Sequence, residues 1–506
     1  MAIACVMTRA SCGVQAPKVI VEVHLSNGLP GFSLVGLPEA SVKEAKERVR
    51  SALINAGFEF PMQRITVNLA PADLPKQGGR YDLPIAIGIL AASEQIPKQA
   101  INDAEFVGEL ALTGQVRSCV GLLPAIIAAR DDGHSMFMPL DNRHEAELVG
   151  YQQCHFVAHL QHLAAFLHGH SQLPKVDTKT LWITESTIDP TLCLSDVIGQ
   201  YQAKQGLEIA AAGGHNLLLM GPPGTGKSML ANRIIPLLPN LSYQEAIEVA
   251  AIHSVAGLNT QSHNFLRRPF RSPHHTCSAI SLVGGGTVPK PGEISLAHRG
   301  ILFLDELPEF SRRVLDCLRE PMETGEVVIS RAAAKLTFAS RFQLIAAMNP
   351  SPCGDADKAR STPDQIQRYL SRLSGPFLDR FDLTIDVPKL PSGALSQPNS
   401  QTETSASVAA RIKTAREKQL NRSGVLNSEL SPKALNKVAK LNQAELIFLE
   451  QSVQQLGLSV RSFHKIQRVA CTIADLQDAA KVDKTHLAQA LGYRAMDRLI
   501  TRLRQQ

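Results

Sequence analysis

The chain is poor in aromatic residues, with one Trp and six Tyr among 506 residues, which argues against a carbohydrate or base-stacking platform as its main surface. Its nine Cys are scattered with no CxxC pair, which fits reduced thiols better than a disulfide framework. Long hydrophobic runs are also missing. The longest, around "LPIAIGILAA", is about half a membrane span, and "MAIACVMTRASCG" is too short an apolar run for a signal sequence. A soluble, cytoplasmic protein is therefore expected. The formal charge of +6 is small for this length, so any nucleic-acid contact should be made by a few loops and not by a basic tail.

What is present is enough for roughly three domains at about 150 residues each. Residues 1–170 alternate β-rich segments ("KVIVEVHL", "RITVNLA") with helical ones, as an α+β domain does. Residues 171–190 are polar and irregular, and "PSGALSQPNSQTETSAS" (391–407) is nearly devoid of apolar residues. These connectors set off a domain at 191–392, then a linker at 393–407 and a helical domain at 408–506. There Ile466, Val469, Ala470, Ile473 and Ala474 follow helical spacing, and Asp483 is placed to cap a last helix.

The strongest chemical signal is "NLLLMGPPGTGKSML". An apolar strand runs into Gly221, Pro222, Pro223, Gly224, Thr225, Gly226, Lys227, Ser228 and Met229 and then into a helix. This is G-x-x-x-x-G-K-[ST] in its strand-to-helix context, whose backbone N–H groups cradle phosphates. Lys227 is placed to reach the β- and γ-phosphates of ATP, and Ser228 to ligate Mg²⁺. Downstream, "RGILFLDEL" is a buried strand ending in Asp305, a candidate for the Mg²⁺ shell, and Glu306, a candidate for polarising the attacking water. "FQLIAAMN" ends in Asn349, a candidate γ-phosphate sensor. Arg380, in "GPFLDRFDLTIDV", precedes a strand and is placed to reach a neighbouring subunit's ATP, which implies an oligomer. Arg461, in "LSVRSF", starts a lid helix from which it can swing onto the γ-phosphate.

With "FRSPHHTCSAISLVGGGTVPKPGEIS", "AAMNPSPCG" and "RLSGPFLDRFDL" added, the chain resembles the magnesium-chelatase-related AAA+ ATPases, and within them the ComM family of bacterial natural transformation. The resemblance covers the whole chain. It implies an α/β AAA+ P-loop core with a C-terminal α-helical lid, preceded by an α+β Lon-protease-like (ribosomal S5 domain 2-like) domain. It also implies a homohexamer that uses ATP and Mg²⁺ for branch migration of recombining DNA, with recombination proteins as further partners. The segments "ITVNLAPADLPKQGGRYDLPIAIGILAA" and "GELALTGQVRSCVGLLPAI" are similar to the catalytic segments of Lon. Gly79, Arg80, Tyr81 and Asp82 occupy the serine region and Leu123 the lysine position, so peptide hydrolysis lacks both nucleophile and base. Lys76 and Arg80 are then scaffold residues or guides for DNA.

Two insertions are the expected DNA contacts: "LVGGGTVPKPGEIS", read as a flexible loop carrying Lys290, and "GEVVISRAAAKLTF", read as a β-hairpin with Arg331 and Lys335 beside its tip. ComM relatives often carry a Cys-rich, zinc-like element after the sensor Asn. Here only Cys353 remains, with Ser351 and Ser361 where Cys would stand, so no zinc is expected there; His274 and His275 are read as loop or packing residues. The basic stretch 410–422 fits either a lid surface or a second DNA contact. The competing reading is a chaperone-like remodeller of a protein substrate.

Overall fold

The computed structural model describes residues 2–36, 42, 44–176, 192–258, 264–286, 289–331, 334–354, 362–393 and 403–505. Most of the first connector, and Ser361, lie outside them.

The front third is a seven-stranded mixed sheet. Its strands are β1 (Ala2–Arg9), β2 (Lys18–Ser26), β3 (Gly31–Val35), β4 (Arg64–Ala70), β5 (Ala104–Phe106), β6 (Ser135–Pro139) and β7 (Cys154–Val157), in the order β3-β4-β2-β1-β5-β6-β7. Strands β2 and β4 alternate buried and accessible residues, the mark of a sheet with one covered face. The cover is α1 (Asp82–Ala92), apolar all round and buried at every position, as such a helix must be. Gly88 permits the approach, since a Cβ there would stand 2.5 Å from Val23 Cγ2.

The segment 76–82 is a structural hub. Arg48 holds the fully buried Asp82 at 2.7 Å, Arg80 donates to Val120 O at 2.7 Å, and Lys76 Nζ donates to the carbonyls of Gly36 and Pro71. A Cβ on Gly79 would collide with the Glu109 carboxylate, so no side chain fits there unless Glu109 moves.

On β7, His155 is 6 % exposed, stacked on Phe137 at 4.8 Å and packed on Phe166, and its Nδ1 has no hydrogen-bond partner among the described residues. Burial, with Lys175 nearby, pushes its pKa down to about 4. The unfolded chain, titrating near 6.5, binds this proton first. This contribution to stability is therefore complete above pH 6.5 and is lost as pH falls toward 4. Urea midpoints at pH 7.5 and pH 4.5 are expected to differ, and His155→Phe is expected to narrow the gap; an unchanged gap would remove His155 as a cause.

The second unit is built on a five-stranded parallel sheet of β8 (Leu217–Met220), β9 (Phe270–Arg271), β12 (Ile301–Leu304), β15 (Gln343–Met348) and β16 (Leu383–Asp386), in the order β9-β12-β15-β8-β16. Strands β8, β12 and, after Gln343, β15 are apolar runs flanked by helices, as a parallel sheet requires. Two hairpins are inserted in this unit, β10 (Gly284–Gly285) with β11 (Lys290–Pro291), and β13 (Glu326–Arg331) with β14 (Ala334–Ala339). The second was expected. The first corrects the reading of a flexible loop: glycines at positive φ close a short ladder in which a Cβ on Gly284 would meet Lys290 O at 2.5 Å.

The front unit is not separate from this core. Helix α2 (Leu123–Asp132) of the front unit and α5 (Tyr243–Ala256) of the core belong to one apolar cluster, which includes Leu122, Ile126, Ala129, Leu241, Val249 and Phe265. Each fully buried Leu, Val or Phe contributes about 1.5–3 kcal/mol, so independent motion of the two units is disfavoured. Polar ties seal the contact: Ser254 Oγ donates to Glu145 at 2.7 Å and Tyr243 Oη to Leu148 O at 2.8 Å. At its other end the front unit lays Val14 against the cluster that holds Phe338 of β14.

The C-terminal helices include α6 (Ser405–Ser423), α7 (Val460–Leu476), α8 (Lys484–Gly492) and α9 (Ala495–Gln505). The helical domain starts at 405 and not at 408, because Thr404 caps α6. Asp483 does cap α8, but α8 is not the last helix. α9 returns to the core, where Ala495 and Met496 are buried and the Met496 N–H donates to Thr384 at 3.0 Å. The basic stretch of α6 is occupied within the protein: Arg411 pairs with Glu208 and Glu403, Arg416 is buried against Ala211 O, Lys418 pairs with Asp478, and Arg422 pairs with Asp475. It is a packing face of the lid. Among the described residues no helix is long and apolar enough to cross a membrane.

Candidate nucleotide-binding and hydrolysis site

The glycine loop leaves β8, which is flanked by β15 and β16, and enters α4 (Lys227–Asn232). Gly224 and Gly226 take φ of +75° and +88°, which lets the backbone wrap back on itself. A Cβ on Gly221 would collide with Val387 O, whereas the space beside Gly224 is open. Pro223 is exposed but touches the turn at Gly354, where a Cβ would stand 2.5 Å from its Cδ; Thr225 Oγ1 donates to Pro222 O at 3.0 Å, and Met229 is exposed on α4.

Lys227 is buried, and its ammonium donates to Gly221 O and Pro222 O at 2.8 Å and to Asn349 Oδ1 at 3.1 Å. Its hydrogen-bond acceptors are all uncharged. Burial lowers its pKa, with Asp305 and Glu306 acting in the opposite sense. A cation so placed gains from an anion brought into the loop. Ser228 Oγ donates to Asp305 Oδ2 at 2.5 Å, which joins the start of α4 to the end of β12. The hydroxyl and carboxylate form the hard oxygen pair that Mg²⁺ selects. These residues fit a nucleoside triphosphate with Mg²⁺, which when bound neutralises charge on the phosphates. With a triphosphate bound, Lys227 would be the group to hold its phosphate oxygens, and Asn349, 3.1 Å away, would orient the ammonium.

Glu306 follows with φ of +52°, a left-handed conformation costing about 1–3 kcal/mol that functional sites retain. Its N–H donates to Asp305 Oδ1 at 2.9 Å, and its exposed carboxylate lies 3.4 Å from His275 Nδ1. His275, read from sequence as a loop or packing residue, lies in a turn and faces the candidate base; the ring of its neighbour His274 lies tilted against it with centroids 4.1 Å apart.

The structure thus joins Lys227, Ser228, Asp305 and Asn349 by hydrogen bonds and sets Glu306 beside them. The two arginines are elsewhere. Arg380 is partly buried and paired with Glu323, not projecting from an edge; Arg461 is exposed in the first turn of α7. Sequence reasoning missed Asn216, whose side chain accepts from the Leu344 N–H at 2.8 Å and donates to Arg380 O at 3.0 Å, stapling three strands. Its only local signal is a polar residue directly before a buried strand.

Lys290 and Lys335 are exposed on adjacent hairpins, within reach of one another's elements through Gly284 and Ile329. Arg331 ends β13 opposite Ala334. Among the described residues one group has the spacing of metal ligands, Glu105, Asp132 and His134, but the Arg9 guanidinium sits among them at 2.5 Å from both carboxylates.

The sequence matches three family descriptions: "Subunit ChlI of Mg-chelatase" over residues 21–142, "Magnesium chelatase, subunit ChlI" over 193–395 and "Magnesium chelatase, subunit ChlI C-terminal" over 402–494. It is 55% identical to Competence protein ComM of Haemophilus influenzae and 51% identical to the uncharacterized protein YifB of Escherichia coli, each over 99% of both chains. It is 26% identical to the magnesium-chelatase 38 kDa subunit of Rhodobacter capsulatus over 39% of this chain and 56% of that one.

Proposed function

The chain belongs to the ComM family of magnesium-chelatase-like AAA+ proteins, and from that premise we propose that it is an ATP-driven hexameric DNA motor. Its task is branch migration of the intermediates made when incoming DNA recombines during natural transformation, and its front unit is a Lon-like scaffold without protease chemistry. The observation that carries the ATPase is the hydrogen bond of Ser228 to Asp305 at 2.5 Å beside the Lys227–Asn349 pair. The support for DNA is the exposure of Lys290 and Lys335 on two hairpins rooted in the same core as the ATP site. Lysines on such loops grip phosphates without reading sequence, which suits a motor that crosses any sequence. In this reading Arg380 leaves Glu323 to meet the neighbouring subunit's nucleotide, and closure of the ring interface moves the hairpins along one strand.

The test is a labelled four-way DNA junction incubated with the protein and ATP. Resolution into two duplexes is expected, and none with Glu306→Gln. Lys290→Ala/Lys335→Ala is expected to bind the junction more weakly and to reduce the salt slope of log K by about 1 for each phosphate that is no longer neutralised. Unchanged binding by this variant removes the hairpins from the proposal. ATP turnover that ignores every DNA favours the second reading, a remodeller of a protein substrate, for which the support is the similarity to the magnesium-chelatase subunit.

A further inference from the structure

The turn 379–382, just before β16, is held with unusual completeness. Each of its four successive carbonyls accepts a side-chain hydrogen bond. Lys465 Nζ donates to Asp379 O and, at 3.1 Å, to Phe381 O; Asn216 donates to Arg380 O at 3.0 Å; Arg494 reaches Asp382 O at 3.4 Å. Asn216 belongs to the core, and Arg494 precedes α9. Lys465 alone comes from α7, one helical turn beyond Arg461 and on the same side of the helix. The helix that opens with one candidate γ-phosphate arginine is thus bonded to the backbone on both sides of the other.

A lysine kept largely from solvent is a costly way to fill space. Burial lowers the pKa of Lys465 to about 8, against the pull of Asp382 and Asp379 and together with Arg494 and Arg380. Packing alone would be served as well by Met or Leu, which carry no desolvation cost. What an apolar residue cannot do is fix two carbonyls that flank a single side chain. The Arg380 side chain is held by Glu323, so with its backbone fixed only its own torsions remain for reaching outward.

Resting on the reading of Arg380 as a residue that acts on the neighbouring subunit's ATP, we propose that Lys465 is a positioning residue that fixes the Arg380 backbone to the lid helix. Rotation of the lid that brings Arg461 to the nucleotide of its own subunit thereby sets the arginine presented to the next. The path through space between the two candidate arginines is short: Arg461, one turn of α7, Lys465, its hydrogen bonds to the 379–381 backbone, and Arg380.

The experiment is steady-state ATP turnover of Lys465→Met, Lys465→Arg and Arg380→Ala, each alone and mixed with Lys227→Ala subunits, which cannot use ATP but carry an intact Arg380 and Lys465. Lys465→Met is expected to lose about tenfold or more in kcat, the effect of misplacing a catalytic group by about 1 Å, with KM nearly unchanged. Lys465→Arg should recover most of it. Mixing with Lys227→Ala should raise turnover at the Lys465→Met sites, because the defect lies in what a subunit gives its neighbour; a structural defect of the lid would not be rescued. Where Lys465→Met does not fold, Lys465→Gln, which keeps one donor, takes its place and should give an intermediate kcat with normal binding of a fluorescent ATP analogue. Unchanged kcat, or a loss that mixing does not rescue, overturns the role of Lys465 while Arg380→Ala, inactive and rescued, still supports the reading beneath it. Normal turnover by Arg380→Ala overturns that reading itself, and the inference with it.

Discussion

Glu306→Gln is expected to lower ATP turnover by about 10²–10⁴-fold, the usual contribution of a positioned general base, while nucleotide affinity stays near wild type. The amide has the shape of the carboxylate and keeps the N–H to Asp305 Oδ1, so the left-handed turn at φ +52° survives. Asp305 keeps its charge and its bond to Ser228, so the oxygen pair suited to Mg²⁺ is untouched. What is lost is the ability to accept a proton from water. Because the side chain is exposed and its nearest titratable neighbour is His275, the substitution should leave the unfolding midpoint within error. Phosphate release and binding of a fluorescent ATP analogue separate the two effects. Loss of binding together with turnover would mean that Glu306 shapes the pocket instead of acting on water.

Arg380→Ala is expected to have the larger effect, about 10³–10⁵-fold in kcat, if its guanidinium stabilises charge in the neighbour's transition state. Folding should be nearly unaffected: the pair with Glu323 is partly solvated, and such pairs contribute about 0–1 kcal/mol. The decisive measurement is complementation. Arg380→Ala subunits have complete pockets but no finger, and Lys227→Ala subunits have fingers but no working pocket. Neither turns over alone, and a mixture should recover activity in rings where one follows the other. A mixture as inactive as its parts would place Arg380 in its own subunit's chemistry and remove the argument for an obligatory ring.

The parts legible in sequence are those whose chemistry is contiguous. Gly224, Gly226, Lys227 and Ser228 make their loop from one stretch of backbone, and Asp305 and Glu306 follow directly on the strand that buries Ile301–Leu304. Side-chain periodicity and turn residues fix such features without reference to the rest of the chain. Two misreadings, and one stretch that the sequence left open between a lid surface and a DNA contact, have a common cause. Gly284 and Gly285 have the composition of a loop but pair with Pro291 and Lys290, because positive φ serves a tight ladder as readily as a flexible loop. Thr404 and Ser405 have the composition of a linker but begin a helix, because a hydroxyl that caps is indistinguishable in sequence from one that is solvated. Basic residues 411–422 have the look of a nucleic-acid contact until their acidic and carbonyl partners come from α3 (Tyr201–Gly213) and α7.

The sequence by itself picked out a glycine-rich strand-to-helix loop at 221–228, a paired acidic strand end at Asp305 and Glu306 and an Asn at the end of a buried strand, since each is written within a few consecutive residues. Only the tertiary structure decided that α5 welds the front unit to the core, that His275 faces Glu306, that Glu323 holds Arg380, and that Lys465 grips the carbonyls of Asp379 and Phe381. Those pairings join residues far apart in the chain. No local pattern encodes such a partner, because what selects it is the need of a buried polar or apolar group for whatever the fold brings alongside.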